Sequence, residues 1–250
     1  MRKRAPVCYY GGKGNMVSKL LSVVPEGGRP YCEPYMGGAS LFFSRKPAPV
    51  EVLNDLNEDL VNLFRVLQDP ERFEEFRHRI LFTLYSYSEF RRARRILLSS
   101  GASSIERAWA LFVALNQGYS GTYQSDGKWS RTFFDRGGMA ATTNKWLMRL
   151  SMLEEWHLRL LRVQIDCRDA LEVLRYWDAD EAVFYVDPPY VAATRVDKQA
   201  YSHEALDEHL AELVTVLLGL RGAAVLSGYA HPLFAPLEEA GWARIDWKTA

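Results

Sequence analysis

One run of residues, Ala182-Val183-Phe184-Tyr185-Val186, narrows what this chain can fold into more than any other. It is continuously apolar and rich in β-branched and aromatic side chains, the pattern of a strand buried on both faces. A sheet covered by helices on both sides is the architecture that buries a strand so completely. Shorter runs of similar character stand at 31–33, 50–53, 163–165 and 223–226. Residues at helical spacing separate them: Leu60, Val61, Phe64 and Leu67; the segment 170–177; and Leu206, Leu210, Leu213, Val214, Leu217 and Leu218. This alternation predicts an α/β fold with a mostly parallel sheet. With 250 residues, 48% of them apolar, the chain has material for one such domain plus a modest insertion.

The insertion falls in the middle. Segments 73–98 and 105–114 read as Arg-rich helices, followed by a polar and aromatic loop over 116–123, further loop signals at Gly127 and Gly137-Gly138, and a helix over 146–161. Residues 72–149 carry 13 basic and 6 acidic side chains, a balance of +7. Residues 1–71 carry 9 and 8, and residues 150–250 carry 9 and 17. A formal net charge of zero therefore hides a basic middle that a polyanion would meet first. The expected division is an α/β domain built from 1–60 and 151–250, interrupted by a mainly helical insertion over 61–150. Cys8, Cys32 and Cys167 are scattered and form no C-x-x-C pair, which argues against a zinc site or a disulfide framework and for a reducing cytoplasm. The five histidines lack ligand spacing, so no metal is expected. No apolar run is long enough to span a membrane, and none follows the basic start as in a signal peptide.

In parallel sheets ligands sit beyond the carboxyl ends of the strands. Three turns occupy that position: 33–40, Asn54-Asp55 and Asp187-Pro188-Pro189-Tyr190. Gly37 and Gly38 let a ligand approach the backbone at a helix start. Asp55, 18 positions after Gly37 at the next strand end, suits a ribose diol. Because G-x-G-x-x-G is absent, these two features alone leave an adenosine-containing cofactor and ordinary turns equally open. The two prolines of the tetrapeptide fix the backbone and withhold N–H groups, leaving carbonyls as acceptors. A carboxylate, a fixed carbonyl and an aromatic face suit a base with an exocyclic amine.

Four motifs appear in order: Tyr9-Tyr10-Gly11-Gly12-Lys13, Glu33-Pro34-Tyr35-Met36-Gly37-Gly38-Ala39-Ser40, Asn54-Asp55-Leu56-Asn57 and Asp187-Pro188-Pro189-Tyr190. In this order the chain resembles the Dam-like (D12 class) DNA adenine methyltransferases over nearly all its length. The resemblance implies a Rossmann-like methyltransferase sheet, with target recognition in the inserted region. It implies S-adenosylmethionine as methyl donor and the exocyclic amine of a flipped-out adenine in double-stranded DNA as acceptor, with the enzyme acting as a monomer, as a restriction-modification, phage or housekeeping methylase. By position, Tyr9, Lys13, Glu33, Pro34, Tyr35, Gly37, Gly38, Ser40, Asp55, Asp169 and Asp187 match the cofactor pocket, Asp187 serving there and in catalysis. Tyr9 stands where Trp is commoner. Asp187, Pro188, Pro189 and Tyr190 match the catalytic tetrapeptide: carboxylate and carbonyl orient the amine and Tyr190 stacks on the base.

For DNA contact the candidates are Arg91, Arg92, Arg94 and Arg95 for phosphates, with Asn116, Tyr119, Ser120, Lys128 and Arg131 in and after the loop. Gln117, Thr122 and Tyr123 are placed in the same loop, and Tyr229 near the target base. A solvated basic helix face is the alternative reading of the arginines. Family members usually continue into a final antiparallel strand, whereas this sequence ends at Trp247-Lys248-Thr249-Ala250, so an uncovered sheet edge is expected. Two other readings stay open: a methyltransferase for cytosine or RNA amines, which share the chemistry, and a non-catalytic DNA-binding methyltransferase fold.

Overall fold

A computed structural model describes residues 5–9, 12–27, 29–119, 128–189 and 203–247. In chain order the elements are α1 (Val17–Val23), β1 (Tyr31–Glu33), α2 (Ser40–Ser44), β2 (Glu51–Asn54), α3 (Glu58–Gln68), α4 (Pro70–Leu81), α5 (Tyr87–Leu98), α6 (Ser104–Gln117), β3 (Asp135–Arg136), β4 (Met139–Ala140), α7 (Ala141–Leu150), α8 (Leu153–Leu160), β5 (Gln164–Asp166), α9 (Ala170–Trp177), β6 (Val183–Val186), α10 (His203–Leu218), β7 (Ala223–Leu226) and α11 (Ala235–Glu239). Five strands form one sheet in the order β5-β2-β1-β6-β7, every neighbouring pair parallel. The Rossmann-like α/β expectation matches this sheet.

Strand alternation sorts the core into two layers. Tyr31, Leu53, Val183 and Tyr185 point to one face, where they join the helices from α1 to α8. Cys32, Val52, Phe184 and Val186 point to the other, against α9, α10 and α11. The basic middle therefore does not stand apart: its helices thicken the first layer and share its apolar core. At their centre lies α6, buried all round from Ala108 to Gln117, as a helix apolar on every side must be. It starts with a capping box between Ser103 and Glu106.

Two long helices expected from periodicity are each divided. The 73–98 stretch breaks between α4 and α5, where the Thr83 hydroxyl accepts from the Trp109 indole and donates to the Arg79 carbonyl, and Ser86 caps α5. The 146–161 stretch breaks at Ser151-Met152 between α7 and α8. The apolar periodicity runs on across both breaks because the flanking helices pack on one core. Among the described residues β7 is an edge strand, and it flanks a cavity of about 920 Å³ lined by Leu20, Leu217, Trp242 and Trp247 among others. No helix among the described residues is long and apolar enough to cross a membrane.

Candidate active site

Because all five strands run parallel, their carboxyl ends share one edge of the sheet. From β1 the chain turns outward through β2 to β5, and from β6 it turns the other way to β7. The strand order thus reverses between β1 and β6, and a crevice opens at such a switch point. The 33–40 loop leaves one side of it and Asp187 the other. Lys13 spans them: its Nζ donates to both Asp187 oxygens, at 2.7 and 2.9 Å. With only 15 and 16% of these side chains exposed, the pair is shielded from water but open to a ligand. Pro188, the next residue, is buried and Pro189 exposed.

The neighbouring strand ends are clamped by an asparagine. Asn54 donates to the carbonyls of Pro34 and Arg168 at 2.9 and 3.0 Å and accepts from the Arg168 N–H at 2.9 Å. The loops after β1, β2 and β5 are thereby tied together. Asp55 follows; its carboxylate accepts from the Gly37 and Asn57 N–H groups at 3.0 and 2.9 Å. Burial raises its pKa above the ordinary carboxylate value against the pull of those N–H groups. With the Leu56 N–H also pulling on it, the carboxylate keeps lone-pair capacity for a further donor. Asn57 caps α3 through its side-chain oxygen and donates from Nδ2 to the Tyr9 hydroxyl at 3.1 Å. The Tyr9 ring lies against Gly37, which has φ +46°; a Cβ there would meet the ring at 3.3 Å. Glycine at 37 thus answers both to the left-handed backbone and to this contact.

Asp169 caps α9 with Oδ1, accepting from Leu171 and Glu172, while Oδ2 stays uncommitted among the described residues. The Tyr35 hydroxyl meets His209 Nε2 of α10 at 2.8 Å, and burial raises the Tyr35 phenol pKa. Ser40 begins α2, its carbonyl held by the Ser44 hydroxyl. Glu33 is 1% exposed. It accepts from the Tyr31 hydroxyl at 2.7 Å, and burial pushes its carboxyl up to about 8 although Tyr31, the Phe42 N–H and Arg45 pull the other way. Glu33 is therefore a support beneath the loop rather than part of the crevice wall.

The basic middle separates into spent and available charge. Arg77 pairs with Glu74, Arg79 with Glu106, Arg107 with Asp59 and Arg92 with Glu89. Arg91, Arg95, Lys128, Arg131 and Arg136 meet no carboxylate among the described residues, and all five are exposed. Tyr87, Arg91 and Arg95 follow one another at i, i+4 on the surface of α5. Tyr87 touches Trp129, whose backbone bridges to Gly118. Arg94 lies over Phe90 and is half buried. Tyr119 is exposed beside Lys128, its N–H donating to the Lys128 carbonyl.

Asn116 corrects the sequence expectation: it does not face a loop surface. It is buried in α6, and Nδ2 donates to the Pro6 and Phe112 carbonyls, because the helix continues to Gln117, beyond the predicted end at 114. Gln117 is likewise buried, bridging Ser86 and Leu84. Ser120, Thr122, Tyr123 and Tyr190 lie outside the described residues. Sequence reasoning missed the roles of Asn54, Asn57 and His209. An Asn-Asp-x-Asn run across a strand end and helix start carried the signal for the first two; nothing local marks His209.

A family model for the D12 class N6 adenine-specific DNA methyltransferases matches residues 9–231. The type II methyltransferase M1.LlaDCHI of Lactococcus lactis subsp. cremoris is 27% identical over 202 residues, covering 78% of this chain and 69% of that protein. With the match reaching from Tyr9 past the crevice and β7, this chain belongs to the D12 class of N6 adenine-specific DNA methyltransferases, enzymes that methylate adenine in DNA.

Proposed function

We propose that the chain methylates the N6 amine of an adenine flipped out of double-stranded DNA, at one short recognition sequence, with S-adenosylmethionine as donor. The donor supplies a methyl group on a cationic sulfonium, open to direct displacement by the amine. The crevice fits such a molecule chemically: Asp55, Asp169 and Asp187 form an acidic rim suited to a cation with ribose hydroxyls. Asp55 would accept the ribose hydroxyls, Asp169 Oδ2 would face the nucleoside base, and Tyr9 with the Pro34–Ser40 loop would enclose the rest. The Lys13–Asp187 pair at the switch point carries this reading.

Lys13 holds the Asp187 carboxylate in place and balances its charge. Asp187 and the Pro188 carbonyl would accept the two amine hydrogens, aligning the nitrogen lone pair for attack. Asp187 can then take up the proton that the amine loses. An adenine inside the duplex is out of reach, so the base must leave the stack, and Tyr190 is placed by sequence to receive it. The middle third would serve as the target-recognition region, Arg91 and Arg95 holding phosphates. Similarity to a type II methyltransferase supports sequence-specific modification within a restriction-modification pair; in this reading the enzyme acts as a cytoplasmic monomer.

The test is to incubate the protein with methyl-labelled S-adenosylmethionine and unmethylated duplex DNA, then map modified adenines by sequencing. Label as N6-methyladenine within one short motif is expected. Label scattered without a motif, or confined to single strands, would overturn the reading. Asp187→Ala should abolish labelling while DNA affinity stays within a few-fold; undiminished turnover would remove Asp187 from the chemistry.

A further inference from the structure

Tyr35 leaves the loop that follows β1, and His209 reaches it from α10. Two contacts join them. The Tyr35 hydroxyl meets His209 Nε2 at 2.8 Å, and the rings stand edge to face, with centres 6.1 Å apart and planes at 87°. Both side chains are partly buried. Tyr35 packs against the second core layer, which α9 and α10 line. What it leaves open lies at the carboxyl edge of the sheet, where the 33–40 loop runs.

The clamp that ties the loops together also sets Tyr35 beside the acidic rim. Asn54 holds the carbonyls of Pro34 and Arg168 with one amide group, so the residues that follow them, Tyr35 and Asp169, emerge side by side. Electrostatics agrees: after burial, the Asp169 carboxylate is the largest influence raising the Tyr35 phenol pKa, ahead of Glu212 on α10. The phenol therefore keeps its proton, and its hydroxyl has a hydrogen to donate. Asp169 Oδ2 is the atom that would face the cofactor's base, and a tyrosine ring beside it makes a wall for that base. Left to itself, a partly exposed ring turns between rotamers; His209 holds its far end. We propose that His209 is a positioning residue for the cofactor: through the Tyr35 hydroxyl it fixes the ring that walls the adenine of S-adenosylmethionine, so that the base meets Asp169 in one orientation. A ring already held need not be ordered when the ligand binds. The inference deepens the proposed cofactor reading and rests on it.

The binding probe is S-adenosylhomocysteine, the demethylated cofactor, titrated by calorimetry into wild type, Tyr35→Phe, His209→Phe, the double variant and His209→Gln. A net hydrogen bond changes affinity by about twofold to tenfold, and each phenylalanine variant should lose about that much. The double variant should lose no more than either single one, because both remove the same bond. Glutamine brings an amide group near the position of Nε2, so His209→Gln should stay close to wild type. S-Inosylhomocysteine, with an oxygen in place of the base amine, supplies a readout that a merely structural role would not move. Wild type should favour the adenosyl compound, and His209→Phe should narrow that preference. In turnover, KM for S-adenosylmethionine should rise in the phenylalanine variants while kcat at saturation and duplex affinity without cofactor hold. Additive losses, an unchanged preference between the two compounds, or no loss at all would overturn the role given to His209. So would a fall in melting temperature and DNA affinity that matches the fall in cofactor affinity, since His209 would then only hold α10 to the loop. Wild type binding neither compound would instead sink the cofactor reading itself.

Discussion

At Asp55 one side chain answers to several demands at once. Its two oxygens already accept backbone N–H groups from Gly37 and Asn57, so the carboxylate first shapes the loop it belongs to. Only its remaining lone pairs are left for a ligand. Asn57 extends the arrangement by holding the Tyr9 hydroxyl, and Tyr9 in turn packs on Gly37. A substitution at 55 must therefore be read with the loop in mind. Asp55→Asn retains one acceptor oxygen and loses the charge. Hydrogen bonds to a charged group contribute about 1.5–3 kcal/mol, so S-adenosylmethionine affinity measured by calorimetry should weaken roughly tenfold to a hundredfold. Binding of duplex DNA in the absence of cofactor should be unchanged, because Asp55 faces the sheet edge rather than the basic surface. Loss of both affinities together would show that Asp55 acts only by holding the fold.

Among the elements, α5 separates what sequence could show from what packing decides. Four arginines within five positions read as one basic patch, but the structure gives them different work. Arg92 pairs with Glu89 and lies over the Trp109 ring, and Arg94 lies over Phe90. Arg91 and Arg95 remain exposed on the Tyr87 stripe. Each phosphate neutralised contributes about 0.9 to the slope of log affinity against log salt. Arg91→Gln/Arg95→Gln should therefore reduce that slope by about 2 in DNA binding measured across salt concentrations, whereas Arg92→Gln should change it by less than 1. A slope unchanged in the double variant would turn this helix face away from DNA. The strands, by contrast, were legible almost to the residue: 31–33 and 223–226 match β1 and β7, because short apolar or aromatic runs bounded by turn residues mark them even though β7, at the edge, is only partly buried. Short α1 was illegible, having seven residues and no capping side chain. Asn116 misled for a related reason. Its polar side chain reads as surface, yet it and Arg149 hold the Pro6 and Ala5 carbonyls, a partnership between segments more than a hundred residues apart.

Across the whole molecule, charge is sorted by position. Asp55, Asp169 and Asp187 follow strand ends along one sheet edge, whereas the cations that meet no carboxylate among the described residues stand on α5 and around the β3–β4 hairpin. A cationic cofactor and a polyanionic substrate can so be drawn to separate surfaces. Gathering acids has a consequence for stability, and Glu33 is where it concentrates. It is buried beneath the crevice, Asp187 raises its pKa further, and the carboxyl reaches about 8 in the folded chain against 4.5 for the free group. The folded state thus holds a proton that the unfolded state releases above about pH 4.5. Stability falls with pH wherever the native state binds more protons. The contribution of Glu33 is complete below pH 4.5 and is lost as pH climbs through about 8. Glu33→Gln keeps an acceptor for Tyr31 and removes the ionisation. Chemical denaturation between pH 5 and 8.5 should show wild type losing stability toward the alkaline end and the glutamine variant losing less, with the gap widening as pH rises. The two proteins following parallel curves would mean that Glu33 stays ionised in the fold, held by Arg45, which packs its guanidinium 3.6 Å from the Tyr31 ring centre.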